Sequence, residues 1–129
     1  MRAKIFAATS ARDTDWTARL ADVHPDGRAL NVCAGVLRAR FRNSCEKPEL
    51  LKPGAVYEIE VSLGVAGHAF LPGHCVRLEI SSSNFPRYDR NLNSGGELGI
   101  DPTIVVAKQT VYHDQQRASR LVLPVVRPE

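Results

Sequence analysis

The stretch Tyr57-Glu58-Ile59-Glu60-Val61-Ser62-Leu63 alternates apolar and polar side chains without a break. A period of two sends successive side chains to opposite faces, the pattern of a strand with one side in a core and the other in water. The same period runs outward in both directions. Towards the N-terminus, Leu37, Ala39 and Phe41 alternate with Arg38, Arg40 and Arg42, and Trp16, Ala18 and Leu20 with Thr17 and Arg19. Towards the C-terminus, Val76, Leu78 and Ile80 alternate with Arg77, Glu79 and Ser81. Lys4 to Ala8 is apolar on both faces, as an inner sandwich strand can be, and two more strands are expected over 104–112 and 120–126. No ten-residue stretch carries a helical stripe; Glu46 to Leu51 has room for one turn at most.

The punctuation fits short strands. His24-Pro25-Asp26-Gly27-Arg28 reads as a hairpin turn, because Pro pre-sets φ and Asp-Gly supplies the positive-φ position. Lys52-Pro53-Gly54 closes a loop begun at Pro48, and a Gly-rich loop spans Gly64 to Gly73. Gly35 suits a bulge or a close backbone approach. About seven strands separated by such turns are the pattern of an all-β sandwich or jelly roll. The 129 residues are the size of one domain, residues 1–129, able to hide roughly two-thirds of its unfolded surface. One segment breaks the rhythm: Asn84 to Pro102 is long and irregular, and such loops in compact domains usually serve a function or an interface.

Composition narrows the function classes. With 43% hydrophobic and 24% charged residues the chain is an ordinary globular protein, neither disordered nor collagenous. No apolar run approaches the ~18 residues of a membrane span, and the apolar run near Met1 stops at about Ala8, too short for a signal peptide. A net charge of +3, scattered rather than blocked, with one Trp, three Tyr and four Phe, argues against nucleic-acid binding. Cys33, Cys45 and Cys75 are an odd set without C-x-x-C spacing, so neither a disulfide framework nor a zinc knuckle is expected; free thiols point to the cytoplasm. His74 and Cys75 are adjacent and would point to opposite faces of a strand, a poor start for a metal site. No metal and no cofactor is expected.

Catalytic chemistry finds little to stand on. The G-x-S-x-G elbow of a serine hydrolase is absent; Ser81, Ser82 and Ser83 follow a strand but lack flanking Gly. His24, His68, His74 and His113 make a triad countable on paper, with His24 and His113 expected as exposed turn residues. Asp13, Asp15 and Asp26 do not match the spacing of a calcium loop, and Asp13 is expected to cap a turn before the Trp16 strand. Gly95-Gly96 reads as a loop hinge.

A resemblance goes further. Asp13-Thr14-Asp15-Trp16-Thr17-Ala18-Arg19-Leu20, Pro25-Asp26-Gly27-Arg28 and Gly35-Val36-Leu37-Arg38-Ala39-Arg40-Phe41-Arg42 form an ordered series. It continues through Leu71-Pro72-Gly73-His74, Val76 to Asn91, Gln109 to Asp114 and Ser119 to Pro124. Together these resemble the C-terminal domain of the X-Pro dipeptidyl-peptidase and cocaine-esterase (CocE/NonD) serine hydrolases, from about Lys4 to Val126. The resemblance implies a galactose-binding-like jelly roll, lacking its first strand or two, appended to an α/β-hydrolase domain that carries the catalytic triad. An incomplete sandwich would show an unpaired edge and exposed apolar surface. In such hydrolases this domain also lines part of the substrate cleft.

The expected role is therefore non-catalytic, with no catalytic, cofactor or metal residues in this chain. Its expected partner is an α/β-hydrolase catalytic domain, in cis or in trans; a homo-oligomer is also open, and neither nucleic acid nor membrane is expected. Phe85, Arg87, Tyr88, Asp89, Arg90 and Asn91 are the candidate interface, since aromatic residues and Arg are enriched at interface cores. The competing reading is that Arg87, Asp89 and Arg90 pair among themselves and only hold the loop together. Arg38 and Arg40 are open as further interface residues. A stand-alone carbohydrate-binding module is the alternative function, weakened because Trp16 falls in the apolar phase of its strand.

Overall fold

The computed structural model describes residues 1–126. Seven strands and one short 3-10 turn make up its regular structure: β1 (Arg2–Thr9), β2 (Asp15–Val23), β3 (Ala29–Arg38), the turn Ala39–Phe41, β4 (Tyr57–Ser62), β5 (Cys75–Ser81), β6 (Gln109–Tyr112) and β7 (Arg120–Val122). They form two antiparallel sheets. In one, β1 lies between β4 on one side and β6 and β7 on the other; in the second, β2 lies between β3 and β5. This is the expected all-β sandwich.

The two central strands supply the core. Ala3, Ile5 and Ala7 of β1 face Trp16, Ala18 and Leu20 of β2, joined by Ile59 and Val61 of β4, all at most 2% exposed. Small residues at Ala3, Ala7 and Ala18 let the larger Ile5, Leu20 and Trp16 interdigitate between the sheets. With Trp16 inside, its ring offers no surface platform on which a sugar could stack.

The sandwich is a wedge. At its closed side β3 meets β4, and Gly35 allows it: a Cβ there would lie 1.7 Å from the backbone oxygen of Ser62. Gly35 is thus a close approach rather than a bulge. The bulge in β3 is at Val32, which has no partner between Asn31, opposite Ala21, and Cys33, opposite Leu20. At the open side, Ile5, Val76, Leu78, Ile80, Val111 and Leu121 line a groove of about 300 Å³ between β5 and the β6–β7 side. Val76 is 49% exposed there, Ile5 is buried, and Leu78, Ile80, Val111 and Leu121 are half-buried.

The other departures are local. The strand expected through Phe41 ends at Arg38, because Ala39 and Arg40 turn inward in the 3-10 turn and Arg40 is buried against Asp13. The strand expected over 104–112 shrinks to β6; Ile104 makes only a single bridge to Asn93 and, like Val106, stays exposed. The strand expected over 120–126 is regular only through Val122. The hairpin turn at 24–28 forms as expected, closed by His24 N–H to Arg28 O at 2.8 Å, with Gly27 at φ 88°. His24 is half-buried rather than exposed, while His113 is exposed.

Candidate docking surface

The segment from Asn84 to Pro102 is tied down at its middle by charge. Asp13 and Asp15 flank the start of β2, at 0% and 4% exposure. Arg38, the cross-strand partner of Asp15, grips it in a fork: Nε to Oδ1 at 2.9 Å and Nη2 to Oδ2 at 3.1 Å. Arg40 holds Asp13 differently, through one guanidinium donor and the main chain: its backbone N–H donates to Oδ1 at 3.0 Å and Nε to Oδ2 at 2.7 Å. A two-pronged guanidinium–carboxylate fork such as Arg38–Asp15 is the strong, orienting kind of ion pair. Hydrogen bonds to Asp15 hold the Arg38 guanidinium above its ordinary pKa despite the opposing effect of burial, helped by the charges of Asp15, Asp13 and Asp89.

Onto this frame the loop is hooked twice. Asn91 Nδ2 donates to Asp13 Oδ2 at 3.0 Å and to Asp15 Oδ1 at 2.8 Å, while its Oδ1 accepts the Asn93 N–H at 2.9 Å. Both Nη atoms of Arg40 donate to Gly96 O at 3.0 Å. Asn93 sits at φ 63°, a left-handed position that Asn tolerates, and donates Nδ2 to Val105 O at 2.9 Å. Gly96 is a point of close approach more than a hinge, since a Cβ would lie 1.9 Å from Asp101 Oδ2. That carboxyl is held below its ordinary pKa by hydrogen bonds from Thr103 and Ser94.

Of the six residues expected at an interface, the structure turns one inward. Asn91 is an anchor, spent on Asp13 and Asp15. Phe85 is 58% exposed, and Arg87, Asp89 and Arg90 are exposed, with Tyr88 half-buried. Arg90 lies over the Phe85 ring at 4.5 Å and Arg87 over the Tyr88 ring at 5.7 Å. Among the described residues, Arg87, Asp89 and Arg90 form no ion pair with one another, so the loop is held by Asn91 and Gly96 instead. Arg38 and Arg40, open as interface residues from their alternation, are internal struts. Asp13 does not cap a turn before the Trp16 strand: it neutralises Arg40 and accepts that residue's N–H in the 3-10 turn. Asp26 pairs with Arg28 inside the hairpin turn, apart from the other two.

What the sequence pattern missed is the apolar neighbourhood. Leu98, Ile100, Ile104 and Val106 are 41%, 70%, 75% and 90% exposed, on the same segment as Phe85. Ile104 and Val106 read as strand residues because of their period, and only their lack of a pairing strand leaves them outside. Beside them, Arg38, Arg90, Leu92, Leu98, Ile100 and Asp101 are among the residues lining a cavity of about 390 Å³.

Removing the Asn91 hook tests the frame. Asn91→Ala leaves two carboxylates short of a donor, and hydrogen bonds to charged groups contribute about 1.5–3 kcal/mol. A loss of that size in denaturant unfolding is expected, with faster amide exchange confined to 84–102.

The seryl residues after β5 are remote from His74. Ser81 ends β5 and its hydroxyl donates to Ser83 O, whereas His74 precedes the opposite end of the strand. A strand of this length separates them by about 20 Å at ~3.4 Å per residue, too far for proton transfer.

Comparison with known proteins agrees with this architecture. The model of the X-Pro dipeptidyl-peptidase C-terminal non-catalytic domain matches residues 1–122. A cocaine esterase of Rhodococcus sp. (strain MB1 Bresler) is 39% identical over 127 residues, which is 97% of this chain and 22% of the esterase. Among solved structures, an aminopeptidase from a marine sediment Thaumarchaeota archaeon superposes with a TM-score of 0.87 at 31% identity. An α-amino acid ester hydrolase superposes at 0.77 and 30% identity. In both, the match covers 92% of this chain and 21% of the other. The chain thus spans about a fifth of the length of these relatives. With seven strands in two antiparallel sheets and a family match over nearly its whole length, the chain belongs to the X-Pro dipeptidyl-peptidase C-terminal non-catalytic domain family.

Proposed function

We propose that this domain packs, through its 84–106 segment, on the α/β-hydrolase catalytic domain of a CocE/NonD-type serine hydrolase and helps shape that enzyme's substrate cleft. Residues 1–129 act as one C-terminal-type module, and the parent reaction is acyl transfer to water at a peptide, ester or amide bond. The observation that carries the reading is the surface itself. Phe85, Leu98, Ile100, Ile104 and Val106 are exposed on a segment whose backbone is pinned from beneath by Asn91 and Arg40. Exposed apolar side chains on a pinned backbone lose little entropy on association, and Arg87 and Arg90 add charged donors at the rim. The relatives support the identity of the occupant, since in each the matched part is about a fifth of a much longer protein. The three free thiols fit a reducing compartment, the cytoplasm. No helix among the described residues is long and apolar enough to cross a membrane.

The test is the pair Arg87→Ala, Arg90→Ala, with Ile100→Ser as a second variant, in the protein together with its hydrolase domain. Interface anchors cost about 1–2 kcal/mol or more on truncation, so association should weaken at least tenfold, and turnover of ester or X-Pro substrates should change with it. Unchanged association and turnover, with only stability reduced, would show that the segment does not dock.

A further inference from the structure

At the end of β2 remote from the docking segment lies a second polar cluster, which the proposed docking function does not use. Asp22 is the last inward-facing residue of β2 and only 2% exposed. One carboxylate oxygen lies 2.8 Å from His74 Nδ1 and the other 2.8 Å from His68 Nε2. His24 stands beside His74, with ring centroids 4.2 Å apart. The backbone register accounts for the grouping. Asp22 faces Val76 and Val23 faces Cys75, so the next step places His24 opposite His74. Alternate residues share a face, hence Asp22, His24 and His74 point the same way and Cys75 points the other. The turn that presents His74 is closed by its own N–H to Leu71 O at 3.0 Å and rests against the 24–28 hairpin turn at Pro25.

The three buried aspartates in and just before β2 are not treated alike. Asp13 and Asp15 each receive a guanidinium. Asp22, among the described residues, receives only imidazoles. A buried carboxylate needs a positive charge or hydrogen bonds to offset its lost hydration, and neutral imidazole supplies only the latter. One ligand atom from each of Asp22, His24 and His74 lies within 4.8 Å of the others. Around an ion with bonds of about 2.0–2.1 Å, tetrahedral ligand atoms stand roughly 3.3 Å apart. Small side-chain rotations bridge that difference, and His24 and His74 are only half-buried.

We propose that Asp22, His24 and His74 bind a borderline divalent transition-metal ion, zinc foremost. Two imidazoles and one carboxylate are the donor set such ions take, in preference to magnesium or calcium. His68, bonded to the second Asp22 oxygen, orients the carboxylate from outside the coordination sphere, as partners of metal ligands commonly do. The ion would clamp the loop between β4 and β5 onto the β2–β3 hairpin turn.

The test uses the full-length protein, stripped with chelator and titrated with Co2+, whose visible d–d absorption reports ligand number. One ion should bind per chain with the intense bands of a four-coordinate site, and Zn2+ should displace it and raise the unfolding temperature. His24→Ala removes a ring that holds no hydrogen bond to Asp22, so it should fold normally and lose affinity at least tenfold. His68→Ala should lose about 10–100-fold, and His113→Ala, on an exposed turn, should bind as the parent does. Absence of saturable binding to the parent would overturn the proposal. So would equal affinity in His24→Ala, or an equal loss in His113→Ala. Because this cluster is separate from the docking segment, neither result bears on the docking experiment.

Discussion

Asp13→Ala is expected to destabilise the protein by about 3–5 kcal/mol, the cost of stripping one partner from a buried ion pair. Asp13 is fully buried, and the Arg40 side chain opposite is 9% exposed. Their charges are taken from water on folding and, among the described residues, are matched by each other, by Gly96 O and by Asn91. Without Asp13, the Arg40 guanidinium keeps the carbonyl of Gly96 but has no counter-charge, and its backbone N–H loses its acceptor. Denaturant unfolding checks the magnitude, read at the midpoint with an unchanged slope. The double variant Asp13→Ala, Arg40→Met separates a charge effect from a packing effect. If the cost is an uncompensated guanidinium, removing that charge recovers much of the loss. A double variant no better than Asp13→Ala would assign the effect to the cavity instead.

Gly35→Ala is expected to cost about 3 kcal/mol or more, the upper part of the range for overpacking a core. The added methyl would lie 1.7 Å from Ser62 O and 2.8 Å from Ser62 C. These are backbone atoms of β4, itself paired along its length with β1, so no side chain can swing aside. One sheet must move off the other at the closed side of the wedge. Thermal unfolding at a lower midpoint, with greater exposure of Trp16 by fluorescence, is the readout. Gly54→Ala is the control. Nothing lies within 4 Å of a Cβ there, so its cost comes only from its φ of 79° and should be clearly smaller.

Much of this architecture is readable in local pattern. Alternation at 57–63, 16–20 and 76–81 marks strands that form, because period two is a property of each strand alone. The hairpin turn at 24–28 is equally local. The pattern fails where burial depends on a neighbour: Ile104 and Val106 alternate correctly and stay outside, and Arg40 alternates as a surface residue and goes inside. For the docking segment, length and aromatic content pointed to 84–91. The anchoring role of Asn91 was hidden, because its partners lie 76 and 78 residues away. In the Asp22 cluster the spacing Asp22-Val23-His24 is a signal, since two residues apart on a strand is one face, whereas the neighbours His74 and Cys75 fall on opposite faces.

The residues by themselves determined an all-β sandwich, its turns, its inward Trp16 and its family resemblance, since each rests on short-range alternation or on motif order. Tertiary structure decided which charges meet. From the turn alone, continuing the pairing of Val23 with Ala29 would set Asp15 against Leu37. The bulge at Val32 moves the register by one, so that Leu37 faces Trp16 in the core and Arg38 faces Asp15 on the opposite face of the sheet. A shift of one residue exchanges the faces of a strand. Only the packing of the two sheets, which rewards Leu37 between them and an Asp15 paired with Arg38 on the other face, selects that register.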